Sequence, residues 1–407
     1  MSNQAHVLVA CHAWYGDMIG GAFRLASEFA EYLAERGHKV SYLCCAADTS
    51  TNTPPEKLSE DLTIYRYSPP NPASNGLLKL RYHVSATARL ARQIHSRQQV
   101  HAASSHSPLQ GLGVAREMSK SGVYVNYTVH SPFDDELLSN IGDDPSLMQR
   151  LAVRMARRVD RRNVALADRI QTDSEYTLQN FRSKYDRVLQ DKGVVAPGWV
   201  ETDLFQPANN RRRLREQLGG AWLTDLPLLF TLRRLENRMG LDTFVDACKI
   251  VLNGGLQFRT LLGGGGSLRE TLQQRINEAG LAENIFLLGR LPEEDLAPAY
   301  AAADCFVLPT KALECFGLIV LESYACNTPV IASNVAAIPE LAKRQGDEWM
   351  FEPGNVQQLA DRIRAFVTGD LKPTIDLRAV ALEYEKSTVL REWEALLALR
   401  QQPLVNA

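Results

Sequence analysis

No apolar run in the 407 residues approaches the length needed to cross a bilayer, and the first residues hold no signal-peptide core, so a soluble, cytoplasmic protein is expected. Charge of one sign is missing too. The 45 Lys and Arg face 47 Asp and Glu, a net −2, which leaves no global field to draw in nucleic acid. The seven cysteines, Cys11, Cys44, Cys45, Cys248, Cys305, Cys315 and Cys326, form no C-x-x-C pair and lie mostly in apolar runs, which points to reduced, buried thiols. There is no G-x-G-x-x-G dinucleotide fingerprint, no Walker-type G-K-[ST] loop and no cluster with metal-ligand spacing. What remains is ordinary globular composition, 45% hydrophobic and 23% charged, in a chain too long for one core and suited to two domains.

Short apolar strands alternate with helical periodicities along both halves. In the first half, strands are expected at His6–Ala10, Val40–Cys45, Thr63–Tyr67, Val100–Ala103, Val123–Val129 and Asp168–Thr172. Helical patterns fill the gaps at about 21–36, Leu77–Arg97 and Leu109–Ser119. The polar stretch Asp48–Ser59 reads as a mobile loop. Thr172 and Glu175 have capping-box spacing for a helix through Tyr185. In the second half, strands at Leu228–Leu232, Phe258–Leu262, Asn284–Leu288, Cys305–Leu308 and Pro329–Ala332 precede helices at Asn355–Thr368 and Leu377–Arg400. This rhythm predicts an α/β fold of parallel sheets covered on both faces. The Gly- and Pro-rich stretch Asp191–Pro207 is the expected crossing between domains.

Polar chemistry gathers where these strands end. Glu314 lies just before a helix at Gly317–Cys326 and Glu322 inside it, and the unpaired amides of Phe316, Gly317 and Leu318 at the helix start would face an anion or hydroxyl-rich ligand bound above the strand ends. Carboxylates there can accept hydrogen bonds from the hydroxyls of a sugar, and Gly317 lets a ligand approach the backbone. Arg234 and Arg238 lie between the end of Leu228–Leu232 and the next helix, a placement suited to an anion. Gly20-Gly21 opens the first helix, Gly263-Gly264-Gly265-Gly266 follows a strand, and His130 stands just past another. The run Gln149–Arg162 holds six arginines and one acid; a solvated helix face is its simplest reading, with contact to an anionic acceptor or membrane surface as the alternative.

The segment E-C-F-G-L-x-x-x-E, with A-C-N-T-P-V-I-A-S and I-P-E-L after it, resembles the donor-sugar segment of family 4 glycosyltransferases, retaining enzymes of the GT-B fold. Glu314, Phe316, Gly317, Glu322, Pro329, Val330 and Glu340 match; Asn327 and Ala336-Ala337 stand where the family commonly has Gly. Asn tolerates the left-handed conformation, so Asn327 is a mild departure. The opening G-G-A-F-R-L-A and the crossing, with Pro197, Gly198, Val200, Phe205 and Pro207, are similar to the family as well. So is Arg234-Leu235 to Gly240, except that Met239 takes the place of a Lys that holds the donor diphosphate; Arg238 next door is its expected substitute.

The resemblance implies two Rossmann-like, doubly wound domains facing a cleft. An acceptor-binding domain would span 1–195 and a nucleotide-sugar domain 196–380, with a closing helix in 381–407 returning to the first domain and Trp393 as its anchor. It implies transfer from a UDP- or GDP-type sugar to an acceptor hydroxyl without a metal or other cofactor. Arg234, Arg238, Glu314 and His130 would be catalytic. Gly20, Gly21, Gly264, Arg290, Phe316, Gly317, Leu318 and Glu322 would bind the donor, with Glu322 on the ribose and the turn at Gly289-Arg290 meeting the base. The expected partners are the donor and a hydroxyl acceptor, not nucleic acid, with peripheral membrane contact left open. The rival readings are an inactive sugar-nucleotide-binding partner, suggested by Met239 and Asn327, and another GT-B enzyme such as a nonhydrolysing epimerase or a phosphorylase. A Rossmann dehydrogenase lacks its fingerprint here.

Overall fold

A computed structural model of the chain describes residues 4–47, 54–139, 141, 145–220 and 223–399. The chain divides into two compact units, one from the described parts of Met1–Pro197 and Ser387–Ala407, the other Gly198–Lys386. The change of unit at Pro197/Gly198 falls within the Gly- and Pro-rich stretch, and the second unit runs six residues beyond the expected 380.

The first unit holds an eight-stranded sheet. Its strands are β1 (His6–Ala10), β2 (Lys39–Cys45), β3 (Glu56–Lys57), β4 (Leu62–Tyr67), β5 (Ala102–Ser105), β6 (Tyr124–Val129), β7 (Arg169–Thr172) and β8 (Gly193–Val195). They lie in the order β3-β4-β2-β1-β5-β6-β7-β8, and every pairing is parallel except β3 with β4. In β1 all five residues are buried, as expected of a strand covered by helices on both faces. Residues 48–53 of the expected loop lie outside the described residues, and β3 stands where its far end was read as irregular.

The second unit holds a six-stranded, wholly parallel sheet. Its strands are β9 (Leu228–Leu232), β10 (Arg259–Gly263), β11 (Ile285–Gly289), β12 (Cys305–Leu308), β13 (Val330–Ser333) and β14 (Met350–Phe351), in the order β11-β10-β9-β12-β13-β14. Two apolar clusters fill its faces, one around Phe230, Tyr300 and Phe306, the other around Phe244, Phe258 and Trp349.

Two local expectations are corrected. Thr172 does not cap the helix Glu175–Leu189, because it still belongs to β7; its hydroxyl donates to the Ser174 carbonyl, and the Ser174 hydroxyl accepts from the Thr177 amide as the true cap. The closing helix is not continuous. Helices at Leu377–Leu382 and Lys386–Ala395 are separated where Glu385 bridges Val200 like a strand residue, with the Val200 amide donating to Tyr384 and the Lys386 amide to Val200. Arg400, its expected end, lies outside the described residues.

Candidate functional site

In the second sheet the chain winds outward in both directions from neighbours β9 and β12: β10 and β11 lie beyond one, β13 and β14 beyond the other. Loops that leave such a switch in strand order diverge and open a crevice above the carboxyl ends of the strands. The loop after β9 carries Arg233, Arg234, Glu236, Arg238 and Met239, and the loop after β12 carries Glu314. Three guanidinium groups and two carboxylates therefore gather there, beside Lys311 of the same loop, which is paired with Asp242.

The two loops are joined by a residue that reading the sequence missed. Arg233 is 8% exposed at its side chain, and its Nη2 donates to Glu314 Oε2 at 2.8 Å while lying 3.0 Å from the Met239 Sδ. Its Nε is buried and without a partner among the described residues. Glu314, whose side chain is 20% exposed, is further fixed through its carbonyl, which accepts from the Ala337 amide at 3.0 Å. The signal for Arg233 was the doubled arginine at a strand end, from which only Arg234 was singled out.

The expected arginines differ in setting. Arg234 is exposed and lies 3.5 Å from Glu236 Oε1. Arg238 is partly buried, and its Nη1 donates to the Leu313 carbonyl at 2.9 Å, so it braces the loop that carries Glu314. Burial, then the charges of Arg234 and Arg233, lower its pKa. Among the expected donor residues, Gly317 sits at φ +97° ahead of the helix Leu318–Ala325, where a β-carbon would strain the turn. The Phe316 side chain is turned into the core, its ring tilted against that of Tyr384 at 5.9 Å, so that only its backbone is offered as a ligand group. Leu318 is partly buried against the same cluster.

Gly264, at φ +128°, would place a β-carbon 1.7 Å from the Arg233 carbonyl, so the loop after β9 itself requires this glycine. Arg290 is exposed and lies over Gly265. Glu322 is 8% exposed and close enough to Tyr300 and Cys326 to help burial raise both, the thiol to about 12. Its carboxylate thus lies at the edge of the core rather than in open solvent.

In the first unit, Gly20 precedes the helix Gly21–Glu35 and leaves its first turn without a side-chain cap, as a glycine must. His130 stands just past β6, but both its ring nitrogens are engaged. Nδ1 lies 2.9 Å from Asp173 Oδ2, Nε2 lies 3.0 Å from His106 Nδ1, and His106 Nε2 lies 3.0 Å from the Ser104 hydroxyl. With Asp173 accepting from Nδ1–H, His130 Nε2 accepts from His106, and His106 in turn from Ser104. Burial, then His130, holds the His106 imidazolium well below the usual range. In this arrangement His130 has no nitrogen left to exchange a proton with a substrate. Asp173 and His106 were not foreseen, although each follows a strand end in the sequence. Trp393 stacks on His106 at 5.7 Å and meets Phe29 edge-on at 5.5 Å, while its indole N–H donates to the Pro197 carbonyl at 2.9 Å.

Among the described residues no group of three or more His, Cys, Asp or Glu could hold a metal ion, and no helix is long and apolar enough to cross a membrane.

Two protein families match this chain: "Glycosyl transferases group 1" over residues 216–385 and "Glycosyltransferase Family 4" over residues 19–204. A GDP-mannose-dependent alpha-(1-6)-phosphatidylinositol monomannoside mannosyltransferase from Mycolicibacterium smegmatis is 32% identical over 181 residues, 43% of this chain and 46% of that protein. A D-inositol 3-phosphate glycosyltransferase from Corynebacterium jeikeium is 29% identical over 240 residues, 56% of this chain and 55% of that protein. The chain thus spans about half the length of these curated relatives. Among solved structures, sucrose-phosphate synthase from Thermosynechococcus elongatus superposes with a TM-score of 0.80 at 20% identity, covering 97% of this chain and 98% of that one. Anabaena HepE in complex with UDP-glucose superposes with a TM-score of 0.72 at 17% identity, covering 97% and 99%. These two likenesses establish the fold.

Proposed function

Because the chain belongs to glycosyltransferase family 4, we infer that it moves a sugar from a nucleoside diphosphate sugar to an acceptor hydroxyl with retention of the anomeric configuration. The observation that carries this is the junction of the loops after β9 and β12, where Glu314 is held by a buried guanidinium beside two further arginines. Such a cluster suits a ligand that joins a diphosphate to a polyol. The diphosphate gains charge as the glycosidic bond breaks, and preorganised cations and helix N-terminal amides stabilise that charge where it develops. Arg234, exposed and within reach of solvent, is assigned to the diphosphate together with the amides of Gly317 and Leu318. Glu314 is assigned to the sugar hydroxyls and Glu322 to the ribose.

In the reaction the bond from the anomeric carbon to the diphosphate oxygen breaks and one to the acceptor oxygen forms on the same face. The acceptor's proton passes to the departing phosphate oxygen. No carboxylate at a motif position stands ready as a nucleophile for double displacement. His130, with both nitrogens committed, is not assigned a proton to move.

The names of the relatives make GDP-mannose and an inositol-bearing acceptor the first pair to try, with UDP-glucose second. The proposed activity is metal-independent and peripheral to membranes. For the latter the supporting feature is the helix Leu147–Leu166, where exposed Leu147, Met148 and Leu151 precede exposed Arg154, Arg158, Arg161 and Arg162. Co-sedimentation with anionic but not zwitterionic vesicles is the expected result; no binding to the anionic vesicles would remove the membrane contact. The central test is release of nucleoside diphosphate from each donor, with and without acceptor and in EDTA. Acceptor-dependent release that survives the chelator is expected. No release from any UDP or GDP sugar would refute the reading.

A further inference from the structure

Met239 and Arg233 lie against each other, and their contact assigns the missing charge. We propose that Arg233 is the buried cation of the diphosphate site and that it couples the diphosphate to Glu314, supplying from the end of β9 the charge that Met239 does not carry. The inference rests on the donor-site reading above. It departs from the expectation that Arg238 makes good the loss.

Three observations separate the two arginines. The Arg238 guanidinium donates from Nη1 to the Leu313 carbonyl and lies 3.7 Å from Glu236, which makes it a brace for the neighbouring loop, and among the described residues it has no hydrogen bond to Met239 or Glu314. The Arg233 guanidinium reaches Met239 itself, with Nη2 3.0 Å from Sδ and 2.8 Å from Glu314 Oε2, so that one group touches both the sulfur and the sugar-binding carboxylate. Finally, Arg233 Nε is buried and has no partner among the described residues. A guanidinium has five N–H donors in a rigid fork, and a buried donor without an acceptor is costly. A diphosphate oxygen supplies that acceptor, and guanidinium geometry suits it.

One fork then serves two partners. Nη2 keeps Oε2 of Glu314 in place, which leaves Oε1 and the remaining lone pairs for sugar hydroxyls, while the other donors meet phosphate. The diphosphate and the sugar are thereby read by one rigid group. A lysine at 239 would provide charge but would not hold Glu314 in this way, because an ammonium lacks the planar fork.

The test uses the full chain and titration calorimetry with UDP and GDP and with the matching monophosphates. Arg233→Met should weaken the diphosphate by about tenfold to a hundredfold, the range for a lost hydrogen bond to a charged group, and leave the monophosphate nearly unchanged. A merely structural arginine would move both ligands together. Adding Met239→Lys to Arg233→Met should restore diphosphate affinity, while transfer recovers only in part because Glu314 stays unheld. In the unaltered background, where Arg233 already provides the charge, Met239→Lys should tighten the diphosphate by no more than about threefold.

Equal losses for both ligands in Arg233→Met, or no rescue by Met239→Lys in a folded double variant, would overturn the assignment. So would a tenfold or larger gain from Met239→Lys alone, a variant that keeps Arg233 and remains informative if Arg233→Met does not fold. If the unaltered chain binds neither UDP nor GDP, the donor-site reading fails instead.

Discussion

Ala336 adopts φ +53° and Asn327 φ +55°, at two of the places where the resemblance leads one to expect glycine. Asparagine accepts the left-handed region through its short polar side chain, whereas alanine pays for its β-carbon there. Ala336→Gly should therefore raise stability by up to about 1 kcal/mol, the left-handed penalty less the extra freedom glycine has when unfolded. Thermal unfolding will show it, and a lower melting temperature would mean that the Ala336 methyl packs better than its backbone suggests. At the proposed donor site, Arg234→Ala should cut transfer by about a hundredfold, as expected when a preorganised charge assigned to the leaving group is removed. Undiminished turnover in that variant would shift leaving-group stabilisation entirely to Arg233 and the backbone. The two arginines are adjacent in sequence, and past the end of a strand no period says which side chain turns inward. Only the distance to Glu314, 81 positions away, separates them.

At the scale of elements, most strands and helices were legible because their apolar runs are buried on both faces and need no partner to be recognised. The final segment was not. Its pattern reads as one helix, but pairing of Glu385 with Val200 interrupts it, a contact across almost two hundred residues that local periodicity cannot carry. From Ser387 on, the second half of this segment belongs to the first unit, where Trp393 and Glu394 make its contacts. Glu394 accepts from the Tyr32 hydroxyl at 3.1 Å and pairs with His38 at 3.2 Å. Trp393→Ala should cost about 3–5 kcal/mol, the range for deleting a fully buried aromatic side chain. Trp393→Phe should cost less, because it keeps most of the ring contact and loses chiefly the bond to Pro197. Thermal melts of the two variants check this, and equal melting temperatures for Trp393→Ala and the unaltered chain would show that the helix is not anchored by its indole.

For the molecule as a whole, acid is the expected weakness. Burial lowers His6 and His12, and burial with a neighbouring histidine lowers His83, to about 4, and His106, well below its usual range. Unfolding frees these imidazoles to titrate near 6.5, so the unfolded chain binds more protons than the folded one below that pH. Stability should decline as the pH falls from about 6.5 towards 4, the four imidazoles outweighing the single buried Asp160, whose carboxyl burial raises to about 8 and which acts in the opposite sense. Urea unfolding at pH 7.5 and pH 5 measures the difference, and an unchanged midpoint would mean that these histidines are solvated in the folded chain.

Composition and periodicity by themselves determined that this chain builds two sheets of mostly parallel strands with charged and glycine-rich loops at strand ends. They suffice because burial of β-runs and the needs of helix termini are local rules. The tertiary structure alone decided which guanidinium holds Glu314, that His130 is closed off by Asp173 and His106, and that the last helix breaks. Each of these depends on which distant residues meet in space, and a buried charge or imidazole takes its role from the partner it finds there.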